Sequence, residues 1–248
     1  MSDLFSFQGK IYLGQRSSQG KLLKPTWVGN SPTCTVQMQT ETTNKTESFS
    51  GNRLPYGRLR RGKTANINMA LDEWLLETLV LGLHGKSVPV AAGTVTGEAL
   101  PTGLVQGDLL RLDRNFVSSV VITDSAGTPA PVPHTVESPN SGLIKLGALT
   151  GLTEPYSAAY SYAEAQGLSI FAEAPPERWL FLDGINTENN RPVLVDLYRV
   201  SFDPVSELGL IHDEYGQLNL AGSVLFDPLN ANGSNMHGFG QMQWKDAD

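Results

Sequence analysis

Cysteine is almost absent: the 248-residue chain has one, Cys34. A disulfide framework, a zinc knuckle or a CxxC redox pair is therefore impossible within one chain. A lone Cys on an apolar strand face reads as a small buried hydrophobe. Charge is also sparse, at 17% of residues, and hydrophobic residues make up 40%. That balance excludes a coiled coil, and it is too apolar for a wholly disordered chain. Long apolar runs are missing. The longest, Trp74–Leu83, is broken by Glu77, Thr78 and Gly82 and is too short to span a bilayer. Met1-Ser2-Asp3-Leu4-Phe5 has no basic segment leading into an apolar run, so no signal peptide is expected and folding is expected in a cytoplasm. The four histidines show no HExxH or HxH spacing, and GxSxG, P-loop and GxGxxG motifs are absent. No catalytic, cofactor or metal site is expected, and a non-enzymatic assembly or binding protein is the better reading.

What is abundant is turn and strand chemistry, with 25 Gly and 15 Pro. Thr33–Thr43 alternates strictly. Cys34, Val36 and Met38 take one face, and Thr35, Gln37, Gln39 and Glu41 take the other. Gly62–Met69 alternates again, with Asn66 and Asn68 opposite Ala65, Ile67 and Met69. The pair predicts an antiparallel hairpin whose tip is a long loop over 44–63. Asn68 to Gly85 then predicts a helix, capped by Asn68, stopped by Gly85, and burying Leu71, Trp74, Leu75, Thr78 and Leu79. Residues 88–150 read as short β-segments with a Pro-rich loop over Thr128–Asn140. A second hairpin is expected from Val193–Phe202 and Gln217–Phe226, with Ser201, Asp203, Gln217 and Asn219 on its polar face. Phe7–Leu13 is a further strand, and 14–32 reads as an extended arm. The pattern as a whole predicts a mainly β fold, a β-sandwich flanked by one helix. One domain is expected over 1–229, followed by a flexible tail over 230–248.

Charge is uneven. Residues 1–149 carry 14 Lys+Arg against 11 Asp+Glu, and residues 150–248 carry 4 against 14, for a total of −7. Five basic residues crowd one stretch: Arg53, Arg58, Arg60, Arg61 and Lys63. An acidic chain with one basic patch is unlike a duplex-DNA binder, which neutralises many phosphates. The patch reads either as a solvated loop or as a tongue that meets an acidic partner surface. His212-Asp213-Glu214 is the densest titratable cluster and reads as a hairpin turn.

Three stretches carry a family resemblance. They are FQGKIYLGQR with PTWVGN, the hairpin 33–69 running into MALDEWLLETLVLGLHG, and RWLFLDGIN through RPVLVDLYRVSF to SVLFDP. Over roughly Phe5–Pro228 the chain resembles the major tail tube protein of long flexible-tailed bacteriophages. The resemblance implies a β-sandwich with a flanking helix, assembled into stacked hexameric rings. Two hairpins per subunit would join into an intersubunit β-barrel around a lumen. That lumen would hold the tape measure protein, then pass DNA in transit without binding it specifically. It further implies contacts with tail tip and tail terminator proteins, no membrane partner, assembly in the host cytoplasm and residence in the virion. Lumen-lining positions would be Thr35, Gln37, Gln39, Glu41, Asn66, Asn68, Ser201, Asp203, Gln217 and Asn219. The tongue residues Arg53, Arg58, Arg60, Arg61 and Lys63 would touch the next ring. The additional immunoglobulin-like C-terminal domain of some members is not expected. Two other readings remain. One is a carbohydrate-binding or carbohydrate-cleaving β-sandwich using Trp27, Trp179 and Trp244. The other is a related tail component such as a terminator.

Overall fold

A computed structural model describes residues 4–231 and 238–245. The chain divides into two compact units, Met1–Lys86 with Ser169–Asp248, and Ser87–Leu168. The first unit opens with β1 (Phe7–Arg16), β2 (Leu22–Trp27), β3 (Thr33–Thr46), β4 (Pro55–Leu71) and α1 (Leu76–Gly82). Strand β5 (Lys86–Val90) leads into the second unit, which holds β6 (Gly93–Ala99), β7 (Leu109–Arg111), β8 (Val117–Thr123), β9 (His134–Ser138), β10 (Leu143–Leu146) and β11 (Ser157–Tyr162). Strand β12 (Ala165–Ser169) leads out and pairs with β5. The first unit ends with β13 (Arg178–Asn186), β14 (Arg191–Phe202), β15 (Leu218–Val224) and β16 (Gly240–Trp244). The fold is mainly β, a sandwich arrangement of antiparallel sheets with one short α-helix among the described residues.

The first unit is built on one sheet ordered β2-β1-β13-β14-β15-β4-β3, with β16 added on β14. Two strands share one edge of β14: β16 runs along Val193–Leu197 and β15 along Val200–Phe202. Ile11 and Leu13 of β1, Leu180 of β13, Ile67, Met69 and Leu71 of β4, and Leu218 and Leu220 of β15 belong to one buried cluster. Leu81 of α1 joins the same cluster. Burial of each such side chain stabilises the unit by roughly 1.5–3 kcal/mol. In the second unit, sheets β7-β10-β9 and β6-β11-β8 enclose a separate core that includes Val117, Ile122, Ile144 and Tyr160. The nearly buried Asp124 carboxylate accepts backbone N–H bonds from Ala130 at 2.7 Å and Thr153 at 3.2 Å. These bonds outweigh the effect of burial and hold its pKa below the usual carboxylate value.

Five expectations are corrected. The helix is shorter than predicted because β4 runs on through Leu71. Met69 and Leu71 sit opposite Leu220 and Leu218 on the core side, so period 2 persists where period 3.6 also fits. Asn68 is therefore a strand residue rather than a cap, and Trp74 is 73% exposed. The helix start is secured instead by Thr78, whose hydroxyl accepts from Leu75 N–H at 3.0 Å and donates to Leu75 O at 2.9 Å. At its end the left-handed residue is His84 (φ 46°), not Gly85. Second, the arm over 14–32 contains β2, paired to β1. Third, the Pro-rich loop contains β9, paired to β10. Fourth, the expected flexible tail contains β16, whose backbone fills an edge of β14. Residues 232–237 and 246–248 of that tail lie outside the described residues. The stretch 1–229, expected as one domain, is split by the second unit inserted between Lys86 and Ser169.

Candidate functional site

The two predicted hairpins are neighbours in one sheet, giving the contiguous run β14-β15-β4-β3. Thr35 lies opposite Asn68, Gln37 opposite Asn66, Gln39 opposite Thr64 and Glu41 opposite Gly62. Asn66 in turn lies opposite Ser223, and Ser223 opposite Ser201. Asn68 lies opposite Ala221, and Ala70 opposite Asn219. Directly opposed residues of an antiparallel pair share a face. Register alone therefore puts Thr35, Gln37, Gln39, Glu41, Asn66, Asn68, Ser201 and Asn219 on one side of four strands. Asp203 and Gln217 sit just past the strand ends. The Asp203 N–H donates to Ala221 O at 2.9 Å, and the Gln217 amide donates to Asp72 Oδ1 at 2.9 Å. All ten positions are exposed except Ser201, which is half-buried.

Ser223, Thr33 and Thr64 belong to the same face by the same alternation, beyond the ten expected lumen positions. Arg199 shares the parity of Ser201, but its guanidinium is matched by Glu177 in two bonds of 2.6 and 2.7 Å. A concavity of ≈ 530 Å³ opens at one end of the face, lined by Thr35, Asn68 and Asn219 with Asp203 and Val205.

The other side of this run is core under β4, β15 and β14, but not under β3. Cys34 is exposed, Val36 is 37% exposed and Met38 is 82% exposed. The expectation of a buried Cys34 is thus overturned for the single chain. The reason is position: β3 ends the strand order of its sheet, so among the described residues no strand covers it on that side. Among the described residues its outer edge pairs with no strand over Thr33–Thr46. A long unpaired edge beside exposed apolar side chains is a template for another strand.

Beyond Thr64, β3 and β4 leave the main sheet and continue as a two-stranded ribbon, because β15 pairs only with Ala65–Leu71. The expected loop over 44–63 is therefore largely paired strand. Its turn is organised by Glu47, whose carboxylate accepts from Phe49 N at 2.8 Å, Ser50 N at 2.8 Å, Leu54 N at 3.2 Å and the Ser50 hydroxyl. The Ser50 hydroxyl and amide lead in lowering the Glu47 pKa to about 2.

The register shifts between Glu41 and Thr42, so Arg61 is left without a partner and Arg60 lies opposite Thr42. Lys63 lies opposite Thr40 and Arg58 opposite Asn44. These three basic residues share the parity of Val36 and Met38, away from the Thr/Gln/Asn face. Arg58 Nη2 also donates to Thr42 Oγ1 at 3.5 Å. Arg53 is in the turn at φ 51°.

At the opposite end of β4 lies the 203–217 segment, which joins β14 to β15. Val205 N–H donates to Gly82 O at 2.8 Å, and Val205 and Leu208 pack on the core. Past them the segment is open: Leu210, Ile211 and Tyr215 are exposed at 85, 94 and 100%. His212, Asp213 and Glu214 are exposed there, and the His212 ring donates to the Gly209 carbonyl at 3.0 Å. Of the three tryptophans weighed for glycan stacking, Trp27 and Trp244 are exposed on β2 and β16. Trp179 is half-buried and donates to Asp196 at 3.0 Å.

These features define a class: an antiparallel β protein with a finished core, an open edge strand and a polar sheet face. A family model described as "Protein of unknown function UCP028589" matches residues 4–243, so the chain belongs to that family. No curated protein matches the chain.

Proposed function

We propose that this protein is a self-assembling structural subunit of the tail tube kind, forming closed rings that stack into a hollow tube. The observation that carries this reading is the single polar face across β14-β15-β4-β3, ending on an unpaired edge. A ring of copies gives the edge of β3 a strand to pair with and covers Cys34, Val36 and Met38. The Thr, Gln, Asn and Ser face then turns inward and lines the lumen. Its charged members, Glu41 and Asp203, are acidic, and Arg199 is neutralised by Glu177. Such a lining passes DNA without neutralising its phosphates and so without holding it. On this reading the lumen encloses a tape measure protein during assembly, and tail tip and terminator proteins close the ends. The rings are hexameric by the tail tube resemblance, and the tube resides in the virion.

Negative-stain electron microscopy of the purified chain, before and after concentration, tests the reading. Hollow tubes or rings of uniform width are expected. Uniformly monomeric particles that also bind a glycan array would overturn it in favour of the carbohydrate reading.

A further inference from the structure

The two ends of β4 differ in charge while both expose apolar side chains. At the Pro55 end, the turn and ribbon carry Arg53, Arg58, Arg60, Arg61 and Lys63, beside exposed Phe49, Tyr56 and Leu59. Between Gly51 and Thr64 there is no acidic residue. At the Leu71 end, Asp72 is tied to Gln217 at 2.9 Å, and the attached 203–217 segment carries Asp203, Glu207, Asp213 and Glu214 with no Lys or Arg. There Leu210, Ile211 and Tyr215 are nearly fully exposed. Strand β4 holds the two ends apart by its 17 residues, about 55 Å at ~3.3 Å per residue. A basic-apolar end and an acidic-apolar end on one strand fit each other on successive copies and do not fit themselves. Such a contact is heterologous, so it repeats without closing.

We propose that the hairpin turn of one copy docks on the 203–217 segment of the next copy, head to tail along β4. The inference rests on the tube reading and names the surface that accepts the hairpin. The Arg61 bulge has a place in this contact. It keeps Arg58 and Arg60 off the polar face, so those two charges do not enter the row of Thr, Gln and Asn side chains. Attraction between the two ends also steers encounter and weakens with salt.

The test uses two full-length variants, R58E/R60E/R61E and E207K/D213K/E214K. All six positions are exposed, so both variants are expected to keep the circular dichroism and melting temperature of the parent. Sedimentation velocity over a concentration series, with microscopy, reads association. Each variant alone is expected to associate at least about 100-fold more weakly than the parent. An equimolar mixture is expected to associate like the parent, because each reversed end meets a reversed partner. Tubes formed by both variants alone would overturn the contact while leaving the tube reading intact. Variants that lose stacking yet are not rescued by mixing would also overturn it. Parent-like rescue into open chains that lack a lumen would support the contact and overturn the tube reading instead.

Discussion

At the scale of single residues, Asp227 ties the end of β1 to the segment that follows β15. It is fully buried, and it pairs with Arg16 through Nε at 2.9 Å and Nη2 at 2.5 Å. Asn230 Nδ2 donates to it at 2.7 Å and Leu229 N–H at 3.0 Å. Burial alone pushes its pKa up, but Arg16, Asn230 and Leu229 outweigh burial and hold it below the usual value of 3.8. A depressed pKa means that the carboxylate stabilises the fold above pH 3.8 and loses that contribution as pH falls through the lower folded value. Asp227→Ala leaves Arg16 uncompensated at a largely buried site and is expected to cost about 3–5 kcal/mol. Urea unfolding at neutral pH measures the loss. An acid titration should show a shallower decline for the variant, since its missing carboxylate no longer takes up a proton. A loss below about 1 kcal/mol would mean that Arg16 finds other partners or water. Sequence could point to the closing Phe-Asp-Pro but not to this role, because pairing across 211 positions leaves no local pattern.

At the scale of elements, the polar face depends on β14 and β15 lying close, and that closeness depends on Gly222. Gly222 is opposite Phe202, and a Cβ there would stand 2.4 Å from the Ser201 carbonyl oxygen. Backbone on one strand cannot yield as a flexible side chain can. Gly222→Ala is therefore expected to destabilise the first unit by about 1–3 kcal/mol. Hydrogen exchange should show the loss first at Phe202 and Val224, while the β3–β4 ribbon stays protected. Equal loosening of both would place the strain elsewhere. The same strands show what alternation can and cannot reveal. Faces of β3, β4 and β15 were readable because each has a polar side in solvent and an apolar side, so period 2 is written plainly. The end of β4 was not readable, since Leu71, Leu75 and Leu79 satisfy both periods. Strand β16, Gly-Gln-Met-Gln-Trp, carries too little apolar pattern to announce itself; its place is set by the backbone edge that β14 offers. The bulge at Arg61 was equally hidden, because one extra residue changes register without changing composition.

At the scale of the whole molecule, the insertion at Ser87–Leu168 separates two problems that the sequence presents as one. Its Gly content and strand-and-turn character match its flanks, so its lower share of charged and large aromatic residues is the one compositional trace of the boundary. The structure marks it twice, by a second buried core and by the meeting of the entry and exit strands. Strands β5 and β12 pair, and Ser169 Oγ donates to Lys86 O at 3.2 Å. An insertion whose ends are adjacent can be removed without stretching the chain that remains. Joining Lys86 to Ser169 through a short Asn-Gly turn is a conservative closure, since about two residues suffice for an antiparallel pair. The shortened chain is expected to be soluble, to unfold cooperatively and to retain the β-rich spectrum of the first unit. Residues 87–168 made alone are expected to fold around Ile122, Ile144 and Tyr160. The polar face, the β3 edge, the basic turn and the acidic 203–217 segment all lie in the retained unit. Association of the shortened chain should therefore match that of the full chain in sedimentation velocity and under the microscope. If it folds but no longer associates, the inserted unit supplies part of the interface and the assembly cannot rest on the first unit alone. If it associates unchanged, the first unit is the assembling body and the inserted unit is free to vary in whatever it presents.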